Sequence, residues 1–267
     1  MPIEWIDGPE DPRVAAFREV PDAERLRAQG LFVAEGRVVV RRVLEDPRYR
    51  VRAVLVNEAS RRELAPVFER FVAEVPVFVG ERRDFLDLTG HDLHRGCLAL
   101  VDRPPALAAK DVLASTRTVI VLEGVSNADN VGGVFRNAAA FGAGGVLLTP
   151  ACCDPLYRKA IRTSMGAALG VPFARLDDWP DALTLVREAG FTIAALTPRA
   201  PSETLEAFAA RPRLPPRLAL LAGTEGTGLT PEAEAAADHR VRIAIDESVD
   251  SLNVSVAVGI ALYALRS

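Results

Sequence analysis

From residue 117 onward the chain repeats one pattern, a short and nearly continuous apolar run followed by a stretch of helical periodicity. TVIVLEG, GVLLTP, VPFARL, TIAALTP, LALLAGTEG and RVRIAI are the apolar runs. A strand that is apolar on both faces must be covered on both faces. Helices between successive strands supply that cover, so the pattern specifies an α/β fold built on a parallel sheet. The closing segment, SLNVSVAVGIALYALRS, is too apolar for a helix in water all round, which makes it core or a subunit interface.

The first hundred residues alternate less regularly, after two short acidic helical stretches around residues 12–29. LFVAEG predicts a strand, RVVVRRVLED a helix, and YRVRAVLVN a second strand. Ser60 and Glu63 have capping-box spacing ahead of the apolar period Leu64, Val67, Phe68 and Phe71. VPVFVG, a helical segment from Arg83 to Leu88, the turn TGHDLHRG and the strand CLALV complete this smaller α/β unit. At 267 residues the chain exceeds the usual size of one domain. The expected division is an N-terminal domain over 1–102, a Pro/Ala-rich linker over 103–116 and a larger domain over 117–267.

Composition narrows the function classes. With 49% hydrophobic and 25% charged residues the chain is globular and not disordered. It shows no apolar run long enough to span a bilayer and no signal-peptide pattern, so a cytoplasmic protein with no membrane partner is expected. Cys97, Cys152 and Cys153 give no disulfide framework. The net charge is −4; residues 1–110 carry 18 Lys/Arg against 19 Asp/Glu and the rest 14 against 17. Any nucleic-acid surface must therefore be local. The basic residues are almost all arginine, the lysines being Lys110 and Lys159, a bias that follows from genomic base composition or from phosphate recognition.

Three loops carry the chemistry, each following a predicted parallel strand, where open α/β sheets hold their ligands. NADNVGGVFRNA places Asn127 and Asn130 near a helix cap, Gly132 and Gly133 in the first turn, and Arg136 one turn on. LLAGTEGTGL sets Gly223, Gly226 and Gly228 around Glu225. RIAIDESVDSLNV ends a strand at Ile245 and opens the last helix with Ser251, Leu252 and Asn253. None is a Walker A loop or a G-x-G-x-x-G fingerprint, which counts against P-loop hydrolysis, dinucleotide redox chemistry and the common Rossmann-type methyltransferases.

In this order the segments NVGGVFRNA, GTEGTGL and SLNVSVAVGIALY resemble the three motifs of the SpoU (TrmH-like) family of knotted RNA ribose methyltransferases, and DPLYRKAIRTSMGAALGVPF also looks familial. The N-terminal FVAEG, LVN and GHDLHRG resemble, less specifically, the L30e-like substrate-binding domain that many members carry. The resemblance implies an α/β-knot domain with a deep trefoil knot, S-adenosylmethionine bound in the knotted loops, and a homodimer whose sites use both subunits. It implies methyl transfer to a ribose 2′-hydroxyl, of ribosomal RNA before transfer RNA. A non-enzymatic RNA-binding or ribosome-assembly factor is the rival.

By motif position, Gly223, Ile243 and Leu252 would contact the cofactor, while Arg136, Asn130, Glu225, Ser251 and Asn253 would form the catalytic set. Arg136 matches the family's motif-one arginine. A guanidinium stays charged in almost any protein site, so its expected role is to orient a phosphate and stabilise a developing alkoxide. Glu225 would fix loop geometry, and Asn253 would position Arg136 or the ribose. Members commonly have Ile-Pro-Met where this chain has Ile243, Ala244 and Ile245 ahead of Asp246, Glu247 and Asp250. Loss of the proline should loosen that loop.

RNA contact is expected from Arg37, Arg41 and Arg42, from Arg61 and Arg62, and from Arg95 in the turn. With 6% aromatic residues, backbone readout should outweigh base stacking. His91, His94 and Cys97 are spaced like metal ligands but lack a fourth, so no metal is expected. A loop facing RNA is the competing reading of His94 and Arg95.

Overall fold

The computed structural model describes residues 3–20, 22–70, 75–89, 96–246 and 248–266. Those up to Pro105 form one unit together with Leu156–Gly166, and the remainder from Ala106 forms the other. In the first unit β1 (Ile3–Trp5), β2 (Leu31–Glu35), β3 (Val51–Val56), β4 (Val77–Val79) and β5 (Cys97–Asp102) lie in the order β1-β4-β3-β5-β2. β4 runs parallel to β1 and β3, and β5 antiparallel to β3 and β2. The helices are α1 (Ala23–Ala28), α2 (Arg37–Glu45), α3 (Glu58–Arg70) and α4 (Arg82–Thr89). Phe17, Leu26, Leu55, Phe85 and Leu98 are buried in one core cluster.

Two sequence expectations change here. α3 begins at Glu58, and its cap is Asn57, whose Oδ1 accepts from the Ser60 backbone N–H at 2.8 Å. Ser60 is buried inside the first turn and, with Glu63, serves Arg37: the arginine Nε donates to Ser60 Oγ at 2.9 Å and Nη1 pairs with Glu63. The S-x-x-E spacing thus reflects a shared partner. β1 was not expected; three exposed residues have no readable period, and pairing with β4 is what makes them a strand.

The second unit opens with α5 (Ala109–Ala114), within the segment expected to be a linker. Val112 and Leu113 are fully buried in its core, and a six-residue helix is too short to show a period among prolines and alanines. There follow β6 (Thr118–Glu123), α6 (Ala128–Phe141), β7 (Gly145–Leu148), α7 (Arg158–Thr163), which groups with the first unit, and β8 (Phe173–Arg175). Next come α8 (Leu183–Glu188), β9 (Thr192–Leu196), β10 (Glu203–Thr204), α9 (Leu205–Ala209), β11 (Leu218–Gly223), α10 (Pro231–Ala235), β12 (His239–Arg242) and α11 (Val254–Ala264).

The strands lie in the order β10-β12-β9-β11-β6-β7-β8, and every pairing is parallel. The six expected strands are all present; β12 stops at Arg242, short of the expected Ile245, and the two-residue β10 is an addition. Ile243–Ile245 leaves the sheet to line a cavity. α11 packs along α6 at close range: a Cβ on Gly133 would stand 2.7 Å from Ser255 Cβ, and one on Gly259 2.8 Å from Asn137 Nδ2. Gly133, in the second turn of α6, serves that helix contact; the sequence placed it in the first turn, facing a ligand. No helix among the described residues is long and apolar enough to cross a membrane.

Candidate active site

The C-terminal ends of β9, β11 and β12 converge on a cavity of about 420 Å³. Its walls are apolar at Leu196, Ala222, Val241, Ile243, Ile245 and Leu252, with Glu225, Asp250 and Ser251 at polar positions. The loop after β11 folds back on itself: Gly228 N–H donates to Thr224 O at 3.0 Å, and Gly226 and Gly228 take left-handed φ values of 89° and 71°. Gly223 is required for a different reason. A Cβ there would overlap the Gly228 carbonyl and reach 2.5 Å from Leu229 N, so the two arms of the loop close only over a bare backbone.

Asn253 joins the three motifs. It caps α11, its Oδ1 accepting from Ser255 N–H at 3.0 Å and Val256 N–H at 3.3 Å. That fixes the amide orientation and turns Nδ2 the other way, to donate to Asn130 Oδ1 at 2.8 Å and Glu225 Oε1 at 2.5 Å. One side chain therefore links α6, the loop after β11 and the start of α11. Asn130 is buried and Glu225 is exposed at the cavity.

Of the two roles expected for Asn253, positioning Arg136 or the ribose, the first has no direct contact behind it: no hydrogen bond joins Asn253 to Arg136. Asn253 spends its donors on Asn130 and Glu225, while Arg136 is exposed on α6 and forms no hydrogen bond or ion pair among the described residues. Gly223, Ile243, Leu252, Glu225 and Ser251 all line the cavity; Asn130, Asn253 and Arg136 stand outside it. Ser251 does not cap the last helix, which begins at Val254.

Sequence reasoning missed Arg199, in the segment TPRAP just after β9. Its Nη1 donates to Leu229 O at 3.0 Å and to the buried Glu234 at 3.2 Å, and its Nη2 to Thr227 O at 2.5 Å, clamping the cavity loop from outside its own strand. Glu123, buried at the end of β6, does similar work: it accepts from Thr230 N–H at 2.9 Å and from Trp179 Nε1 at 2.5 Å. A charged residue at the C-terminal end of a parallel strand was the available signal for both.

Of the arginines expected to meet RNA, Arg37 is engaged by Ser60 and Glu63, and Arg61 and Arg62 both bind Glu58, whose carboxyl they hold down at about 2. Arg41 and Arg42 are exposed on α2 and make no ion pair among the described residues. Arg95, His91, His94 and Glu247 lie outside the described residues. Cys97 is buried in β5, where desolvation pushes its thiol up to about 12, and no metal-binding cluster occurs among the described residues. Cys152 is buried with its thiol toward Leu122 O, and half-buried Cys153 is raised to about 11, mainly by burial.

Residues 117–263 match the SpoU rRNA methylase family. The chain belongs to this family. As a SpoU methylase it is an RNA methyltransferase that takes its methyl group from S-adenosylmethionine. The cavity suits that cofactor in size and in its mix of apolar wall and loop backbone. An uncharacterised tRNA/rRNA methyltransferase of Mycobacterium tuberculosis is 38% identical over 98% of this chain and 91% of its own. A 23S rRNA (guanosine-2′-O-)-methyltransferase of Vibrio parahaemolyticus is 28% identical over 84% of this chain and 92% of its own. The AdoMet-bound rRNA methyltransferase of Sinorhizobium meliloti shares the fold, with a TM-score of 0.82, 22% identity and coverage of 99% of this chain and 97% of the other.

Proposed function

We propose that this SpoU methylase transfers the methyl group to a ribose 2′-oxygen of ribosomal RNA. The observation that carries the reading is the Asn253 junction, which ties all three motif loops together beside one adenosyl-sized cavity. The relative from Vibrio parahaemolyticus, a 23S ribosomal RNA 2′-O-methyltransferase by name, favours the same position and substrate.

S-adenosylmethionine supplies a methyl on a sulfonium and leaves as a thioether. Gly223, Ile243 and Leu252 would hold it, with Ser251 and Glu225 at the polar side of the cavity. The attacking 2′-hydroxyl passes its proton to solvent; in so far as the proton leaves before the oxygen–carbon bond forms and the carbon–sulfur bond breaks, the oxygen carries negative charge. Arg136 is free to meet it: exposed, without a carboxylate partner among the described residues, and carried on the helix that Asn253 fixes through Asn130. Asn253 and Asn130 are positioning residues in this scheme.

The exposed apolar face of α11, with Val256, Ile260 and Tyr263 at 47%, 38% and 54% exposure, supports the homodimer, the second subunit supplying cover for that stripe. The trefoil knot, the L30e-like character of the first unit and a cytoplasmic setting belong to the same proposal.

The test follows transfer of labelled methyl from S-adenosylmethionine into ribosomal RNA, with ribose analysis of the product. Wild-type protein should label the 2′-oxygen. Arg136→Ala should lose at least a hundredfold in kcat, in the range seen for a lost charge-stabilising donor, with cofactor affinity within about twofold by calorimetry. Base methylation, or an Arg136→Ala enzyme with unchanged turnover, would overturn the scheme; folded protein that binds no cofactor would favour the assembly-factor reading.

A further inference from the structure

The segment Leu156–Gly166 lies in sequence between β7 and β8 yet belongs to the first unit. One carboxylate ties it to β2, beside the burial of Ala160 and Ile161. Glu35, the last residue of β2 and 8% exposed, faces two guanidinium groups of α7: Arg158 Nη1 lies 3.3 Å from its Oε2 and Arg162 Nη1 3.2 Å from its Oε1. Arg158 is largely buried, at 14% exposure, and its Nη1 and Glu35 Oε2 have no aligned hydrogen-bond partner. Arg162 Nη1, in contrast, donates a hydrogen bond to Glu35 Oε1, so two guanidinium groups share one carboxylate and one positive charge is left over; Arg162, with 48% of its side chain exposed, is the one that reaches solvent.

A third guanidinium joins them. Arg42 of α2 reaches the turn that ends α7, its Nη1 3.2 Å from where a Cβ of Gly166 would stand. It makes no ion pair among the described residues; the two carboxylates that follow it on α2 are engaged elsewhere, Glu45 by Arg70 at 3.4 Å and Asp46 by Arg48 at 3.0 and 2.6 Å. The turn itself is fixed. Met165 adopts φ 52°, a conformation costing a non-glycine residue about 1–2 kcal/mol, and it is held by Met165 N–H to Arg162 O at 3.0 Å and Gly166 N–H to Ile161 O at 2.9 Å. Three guanidinium groups thus stand around one carboxylate, beside a turn held in a strained conformation.

We propose that Arg42 and Arg162, on a frame set by Glu35 and Arg158, form a phosphate-binding surface for the backbone of the substrate RNA. The proposal rests on the RNA-methyltransferase reading and adds a site to it. The sequence offered Arg42 as one of several equivalent helix arginines, and Arg162 not at all. α2 and α7 are more than a hundred residues apart in sequence, and tertiary structure makes them neighbours.

Binding of a fluorescein-labelled ribosomal RNA transcript to the full-length protein, measured by anisotropy across a potassium chloride series, tests it. Arg42→Ala and Arg162→Ala should each weaken binding roughly three- to tenfold and lower the slope of log Kd against log salt by about one unit, the double variant by about two. Arg158 stays beside Glu35 in all of them, so thermal unfolding should not move in Arg42→Ala and should fall in Arg162→Ala by no more than the loss of its one hydrogen bond to Glu35. Arg83→Ala on α4, removing an exposed arginine of the same unit, should leave affinity within twofold. Unchanged slopes in the Arg42 and Arg162 variants, or an equal loss in Arg83→Ala, would overturn the site while leaving the methyltransferase reading intact. Wild-type protein that neither binds nor methylates the transcript would overturn both.

Discussion

Replacing Gly223 by alanine adds one methyl group in the wall of the cavity proposed to hold the cofactor. The backbone there does not need glycine for its handedness, since Gly223 is not among the residues with positive φ. The penalty comes from crowding alone: the new Cβ would overlap the Gly228 carbonyl and approach Leu229 N to 2.5 Å. These are backbone atoms, so relief requires the return arm of the loop to move. That movement breaks the Gly228-to-Thr224 hydrogen bond and disturbs the two carbonyls that Arg199 clamps. Overpacking costs about 1–3 kcal/mol and a lost hydrogen bond about 1 kcal/mol, so Gly223→Ala should cost about 2–4 kcal/mol of stability. If half of that falls on the cavity loop, cofactor affinity drops about tenfold. Urea denaturation and calorimetry with S-adenosylmethionine read the two effects. Gly226→Ala is the control: φ is 89° and nothing lies within 4 Å, so only the left-handed penalty of about 1–2 kcal/mol applies. A Gly223→Ala protein within 0.5 kcal/mol of wild type on the ~25 °C scale of such measurements, with unaltered cofactor affinity, would refute the reasoning.

Two further outcomes follow from the same geometry. Asn253→Ser should keep the cap on α11 and lose the bridge to Asn130 and Glu225, costing about 1–3 kcal/mol for the buried amide left unpaired; Asn253→Ala should cost about 1 kcal/mol more for the cap, measured by denaturation midpoints. Cys97 carries the third. Its thiol is raised by burial from 9.0 to about 12, so it favours the folded state fully below pH 9 and less as pH rises toward 12. Native protein should resist iodoacetamide at Cys97 near pH 8, and Cys97→Ala should flatten the alkaline loss of stability; rapid labelling in the folded state would contradict the burial.

The parallel sheet of the second unit was legible because each of its longer strands is buried on both faces and so advertises itself in composition. The elements that escaped are those that composition cannot encode: β1 and β10 exist through pairing partners, and α5 is six residues whose burial depends on the core that receives it. For the site, the sequence located the three loops and named Asn130, Glu225 and Asn253 without their connection. It left Asn253 to position either Arg136 or the ribose, because spacing along a chain carries no information on which way an amide turns. The cap on α11 consumes Oδ1 and so decides the direction of Nδ2.

The charge distribution divides along the same line. The sequence alone determined the family, the parallel architecture and the prediction that any RNA surface must be local, since a net charge of −4 leaves no basic face to spare. Which arginines remain available was decided by the tertiary structure. Arg37, Arg61 and Arg62 are tied to Glu63 and Glu58, whereas Arg42 meets the turn after α7, where Glu35 balances only one of two guanidinium groups. Charge pairing acts over a few ångströms in space, and for these groups that distance is set by the fold.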